Sequence, residues 1–138
     1  MNKTFASLLL ATLGYLPSAY ADVAVIVHPS DNATIDDAAI ARLFLGEVKS
    51  FPGGAAATPV DQKNNEICAE FHNQILNKTT KEVRKIWARQ VFTGGLKPPP
   101  ALDGDDAVLQ YVATPPDAIG YVQASRVNNK VKVIRKAP

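Results

Sequence analysis

Cys68 and His72 stand four residues apart, a spacing that puts two side chains on one face of a helix. A thiol and an imidazole so placed are the beginning of a metal site, and His28 could supply a third ligand. Two ligands at helical spacing still lack the paired Cys or His clusters of structural zinc. The expectation is therefore a packed cysteine and a surface histidine, with no metal and no cofactor. Asp103-Gly104-Asp105-Asp106 opens like a calcium loop but lacks the distal bidentate Glu, and acids at a helix start answer to the helix dipole. Beyond the N-terminal segment the serines are Ser30, Ser50 and Ser125, none of them in a G-x-S-x-G elbow. There is no G-x-x-x-x-G-K-[ST] phosphate loop and no G-x-G-x-x-G. Hydrolase and nucleotide chemistry fail on these grounds, and no enzyme is expected.

Anion binding survives the elimination. Two loop-to-helix junctions carry small polar side chains, Ser30, Asn32 and Thr34 at one and Gln62, Lys63, Asn64 and Asn65 at the other. Helix N-termini present N–H groups and the positive end of the dipole, which suit an oxyanion, and Lys63 adds a charge. If both junctions lie at one end of a sheet, they flank the crevice where open α/β sheets bind ligands. Lys81, Lys85 and Arg89 form a basic stripe on a third helix, read as a solvated face. With 15 Lys plus Arg against 13 Asp plus Glu, the net charge of +2 builds no nucleic-acid footprint.

The elements that must position these residues begin after an export segment. Lys3, an apolar stretch from Phe5 to Leu16 and Ala19-Tyr20-Ala21 make the three-part layout of a signal peptide, with cleavage expected after Ala21 and a periplasmic destination. The apolar stretch is too short to span a bilayer, so no membrane insertion is expected once it is removed. Residues 22–138 then form a single domain. One cysteine allows no internal disulfide. Val23 to Val27 reads as a strand buried on both faces. A first helix follows Thr34, with Gly46 at its C-cap, and Ala57 to Val60 is a short strand. A second helix repeats Ile67, Phe71 and Ile75, and a third, with Thr79 and Thr80 offering its N-cap, buries Val83, Ile86, Trp87 and Val91. Lys97-Pro98-Pro99-Pro100 runs extended. Asp103 caps a fourth helix carrying Val108, Leu109 and Val112, and strands over 118–122 and 130–134 close the domain, the last as an exposed edge.

Three segments in this order carry a resemblance: Ala41-Arg42-Leu43-Phe44-Leu45-Gly46 with Phe51, then Ile86-Trp87-Ala88-Arg89 with Val91-Phe92-Thr93-Gly94, then Ala118-Ile119-Gly120-Tyr121-Val122. The chain resembles a small single-lobe branch of the phosphate-type periplasmic substrate-binding proteins of ABC transporters. The resemblance implies an α/β domain with a central mixed β-sheet flanked by helices, one lobe of a type 2 periplasmic binding protein. It also implies a non-enzymatic role in transport or sensing, with phosphate or a similar small oxyanion as ligand and an ABC permease or other envelope protein as partner. Where the family has a Ser-Gly-Thr loop before the second helix, this chain has Asp61-Gln62-Lys63-Asn64-Asn65, with no hydroxyl. The alternative is a periplasmic protein-interaction module with a vestigial ligand site.

Overall fold

Every residue of Val23–Val27 is buried, so this stretch, β1, can only lie inside a sheet covered on both faces. The computed structural model describes residues 22–32, 34–63 and 65–137; the expected signal segment with its cleavage point, Ala33 and Asn64 lie outside the described residues. Among the described residues four α-helices follow β1: α1 (Asp37–Phe44), α2 (Glu66–Gln74), α3 (Thr80–Gly94) and α4 (Asp105–Val112). The sheet is completed by β2 (Thr58–Pro59), β5 (Ala118–Gln123) and β6 (Lys132–Ala137), in the order β2-β5-β1-β6. β1 runs antiparallel to both neighbours, and β2 runs parallel to β5, so the sheet is mixed. Asp61–Gln62 (β3) and Ala101–Leu102 (β4) pair as a separate two-stranded parallel ribbon.

The period-two alternation of β1 divides the core. Val23, Val25 and Val27 join Phe44, Phe71, Val83 and Tyr121 under α1, α2 and α3. Ala24 and Ile26 face the other way, onto Val60, Val108, Leu109, Val112 and Val122 beneath α4. The expected architecture of a mixed sheet between helical layers is the one observed. β6 is an edge strand, as expected, although it starts and ends later than the Lys-Val alternation suggests and carries Ala137 into the core opposite Val23.

The segments that carried the resemblance dock on one another. α1 ends at Phe44, and its last carbonyls need partners outside the helix. α3 provides them: Trp87 Nε1–H donates to Phe44 O at 2.9 Å and Gln90 Nε2–H to Leu45 O at 3.3 Å. Gly46 then turns the chain at φ +75°, directly under the Trp87 ring.

Four local expectations need correction. The N-cap of α1 is Asp36, whose Oδ1 accepts from Ala39 N–H at 2.8 Å, and not Thr34. A carboxylate opposes the dipole better than a hydroxyl. The N-cap of α4 is Gly104, because Asp103 turns outward to pair with Lys63. The strand expected over Ala57 to Val60 shortens to Thr58–Pro59, and the polar residues after it form β3 instead of a loop. Val91 is 45% exposed, not part of the core. The Thr79 cap is present as a full capping box with Glu82.

Candidate functional site

Strand β3 delivers Asp61 to the base of helix α2, where it meets three side chains. Tyr121, wholly buried on β5, donates its hydroxyl to Asp61 Oδ1, which also accepts Gln62 N–H at 2.8 Å. The Tyr121 ring is stacked on Phe71 with centroids 3.9 Å apart, and Phe71 meets Phe44 edge-on at 4.7 Å. Rigid aromatic packing therefore fixes the phenol. On α2, Cys68 and His72 point back toward the same carboxylate. His72 Nε2 lies 3.6 Å from Asp61 Oδ2, and Cys68 Sγ lies 3.8 Å from Asp61 Oδ1 and from both His72 ring nitrogens. Thr80 Oγ1, at the start of α3, holds His72 Nδ1 at 3.0 Å.

Electrostatics reinforce this geometry. Burial by itself would push the His72 pKa down, but hydrogen bonds to Asp61 and Cys68 and their charges outweigh it and raise the value to about 9. Burial would likewise push Asp61 up, yet hydrogen bonds from His72 and Tyr121 and the His72 charge hold its carboxyl below the ordinary carboxylate range. Burial first, then the Asp61 charge, drives the Tyr121 phenol upward, so it stays a proton donor. The expected surface histidine is thus a buried, charged one.

Stability should follow these shifts. The His72 contribution is full below its unfolded value of 6.5 and disappears as pH rises through about 9. The Asp61 contribution is present above 3.8 and is lost as pH falls below it. Urea unfolding in a chelating buffer should show its maximum between these two unfolded values, with a loss on the order of 3 kcal/mol on the alkaline side. A profile flat across the alkaline limb would show that His72 carries no charge in the fold.

The residues expected to bind an anion do not converge. β1 and β5 are antiparallel, with Val27 opposite Ile119 and Val23 opposite Gln123. The turn at 29–30, which carries Ser30, leaves β1 past Val27, beside the start of β5. Gln62 sits near the other end: its Nε2–H groups donate to Tyr121 O and to Asp105 Oδ1, each at 2.8 Å, and the same Asp105 oxygen accepts Gln123 N–H at 3.3 Å. The two turns lie at opposite ends of the sheet, because a chain that crosses back between them must reverse direction.

Their side chains are also engaged locally. Ser30 bonds His28 Nδ1 through both its backbone N–H and its hydroxyl, and Asn32 and Thr34 are exposed. Gln62 is buried and braces the fold, its Oε1 accepting from Asn65 Nδ2 at 2.8 Å. Asn65 caps α2 by accepting Cys68 N–H at 2.8 Å. Lys63 Nζ contacts Asp103 Oδ1 at 2.6 Å with both side chains largely in water, and this hydrogen bond raises the lysine pKa and lowers the aspartate's. Asn64 lies outside the described residues.

Beside the Asp61–Cys68–His72 cluster a groove of about 660 Å³ runs between α3 and the proline segment. Asp61, Cys68 and His72 line it, with Val83, Trp87 and Phe92 from α3 and Pro98 and Pro99 opposite. Sequence reasoning found Cys68 and His72 by their spacing. It missed Asp61, Tyr121 and Thr80, which come from separate elements. The only available signal was the run of unlike polar residues at Asp61, which resembles any loop.

No known protein family and no curated protein matches this chain by sequence. Solved structures do match. A phosphate ABC transporter substrate-binding protein with bound phosphate from Clostridium perfringens superposes with a TM-score of 0.63 at 17% identity, over 84% of this chain and 46% of that one. The chain has the fold of one lobe of a phosphate-type periplasmic binding protein. An ABC-type phosphate transport receptor from Vibrio cholerae gives 0.63 at 12% identity over 84% and 47%, and PstS from Borrelia burgdorferi gives 0.60 at 17% over 83% and 47%. This chain spans just under half the length of each. Among the described residues, no helix is long and apolar enough to cross a membrane.

Proposed function

We propose that the chain is an exported, non-enzymatic binding domain that takes phosphate or a similar small oxyanion at the start of α2. The observation that carries this reading is the one-lobe fold, shared with a substrate-binding protein solved with phosphate. Of the two turns singled out in the sequence, the one at α2 is kept. Lys63 stands in solvent there, and its exposed pair with Asp103 is weakened by water and salt, so an anion displaces Asp103 at little cost. Asn65 caps the same helix start. Ser30, Asn32 and Thr34 belong to the far end and take no part. Export rests on the 1–21 segment, and N-terminal sequencing of the protein from the periplasm should begin at Asp22.

Calorimetry with phosphate, and sulfate as control, tests the ligand. Binding should raise the melting temperature with phosphate concentration, because the ligand binds only the native state. Lys63→Ala should weaken binding about tenfold, and Asp103→Asn should strengthen it by freeing the lysine. Absence of heat with either anion would end the oxyanion reading. One observation favours the interaction-module alternative: Phe92, 91% exposed on α3 at the rim of the groove, is a large apolar side chain offered to solvent. In that case phosphate is ignored, Phe92→Asp abolishes co-purification with an envelope protein, and an ABC permease is the first candidate to examine.

A further inference from the structure

The oxyanion reading makes no use of Asp61, Cys68 and His72, although all three are metal-donor groups gathered at one point. Their donor atoms lie within 4.8 Å of one another. Typical zinc bond lengths at tetrahedral angles put sulfur and nitrogen ~3.6 Å apart, sulfur and oxygen ~3.6 Å, and nitrogen and oxygen ~3.4 Å. Here Cys68 Sγ lies 3.8 Å from His72 Nε2, His72 Nε2 lies 3.6 Å from Asp61 Oδ2, and Cys68 Sγ lies 3.8 Å from the other carboxylate oxygen, Oδ1. The two pairs that share Nε2 need to close by only ~0.2 Å to hold an ion between them. We propose that Asp61, Cys68 and His72 form a zinc site with one coordination position open to the α3 groove.

The chemistry of the donors selects the metal. Thiolate, imidazole and carboxylate together suit a borderline-soft ion that prefers four ligands, and they do not suit magnesium or calcium, which want oxygen. The supporting shell is also built. Thr80 Oγ1 occupies Nδ1 of His72, which leaves Nε2 on the Asp61 side. Tyr121 and the Gln62 N–H hold Oδ1 of Asp61, which leaves Oδ2 facing the imidazole. Partners of this kind orient ligands and raise metal affinity. Cys68 and His72 are each 3% exposed, yet both line the groove, so an ion has a path in and its fourth position a place for water or a small donor ligand. His28, the third ligand considered from sequence, leaves β1 at the opposite end of the sheet. Asp61 takes its place because β3 carries it to the foot of α2.

The test uses the mature full chain stripped with EDTA, with cobalt(II) as the spectroscopic probe and zinc(II) as the competitor. One equivalent of cobalt should produce a thiolate-to-cobalt charge-transfer band and the intense visible bands of a four-coordinate site, and zinc should bleach both. Cys68→Ser, nearly isosteric, should remove the charge-transfer band and weaken zinc binding at least tenfold. Thr80→Ala keeps all three ligands, and loss of its hydrogen bond should weaken zinc about tenfold. Absence of the charge-transfer band in the unsubstituted protein overturns the proposal. So does a Cys68→Ser variant that binds zinc as tightly as the parent. The phosphate titration is unaffected by either result, since Lys63 is not a ligand.

Discussion

Asp61→Ala should destabilise the metal-free protein by about 3–5 kcal/mol near neutral pH, the usual penalty for stripping a buried charge of its partner. The loss is large because one carboxylate serves several donors: the Tyr121 hydroxyl, the Gln62 N–H and the charged His72. Each is left in a site that water reaches poorly. Asp61→Asn keeps acceptors for the first two and should retain part of the stability. The penalty should also shrink in alkali. Above about pH 9 His72 is neutral in the parent, so the ion pair that Asp61 completes no longer exists. Urea midpoints for parent, Asp61→Ala and Asp61→Asn, each below and above that pH in EDTA, check the argument. A penalty independent of pH would mean that Asp61 acts as a neutral hydrogen-bond acceptor and not as a counter-ion.

Gly46→Ala should cost roughly 2–4 kcal/mol, combining left-handed backbone strain with overpacking. Gly46 has φ +75°, and a Cβ there would come within 2.6 Å of the Trp87 ring. That ring cannot retreat freely, because its indole N–H is bonded to Phe44 O. Gly95 is the control: its φ is +64°, and a Cβ added there would meet nothing within 4 Å. Gly95→Ala should therefore lose only the backbone component, about 1–2 kcal/mol. Equal losses at the two glycines would show that Trp87 does not close over the end of α1.

Helix signals and the buried strand were readable because they are local. The Val23 to Val27 run, the Ile67, Phe71 and Ile75 stripe and the Thr79-Thr80 cap signal each declare themselves within a few residues, and in the structure Thr79 is the cap. The two-residue strands were not readable. A pair as short as Asp61–Gln62 and Ala101–Leu102 has no periodicity to detect and exists only because its partner is brought alongside. The caps of α1 and α4 were misplaced by one or two residues for a related reason. Asp36 and Thr34 are both acceptable caps by type, and packing of Ile35 into the core decides between them.

The candidate site shows the same division more sharply. Cys68 and His72 share a helix face by spacing alone, and Lys63 stands beside a helix start by sequence alone. Whether two turns face one crevice depends on strand direction, and a sheet in which β1 and β5 are antiparallel sends the Ser30 and Lys63 turns to opposite ends. Asp61 reaches His72 through the pairing of β3 with β4, and Tyr121 reaches Asp61 from a strand sixty residues further on. Residue order by itself determined the helices, the buried strand and the α/β class, since those follow from patterns a few residues long, while the one-lobe form was what the resemblance implied. Only the tertiary structure decided which polar groups meet, because burial and long-range pairing set their company.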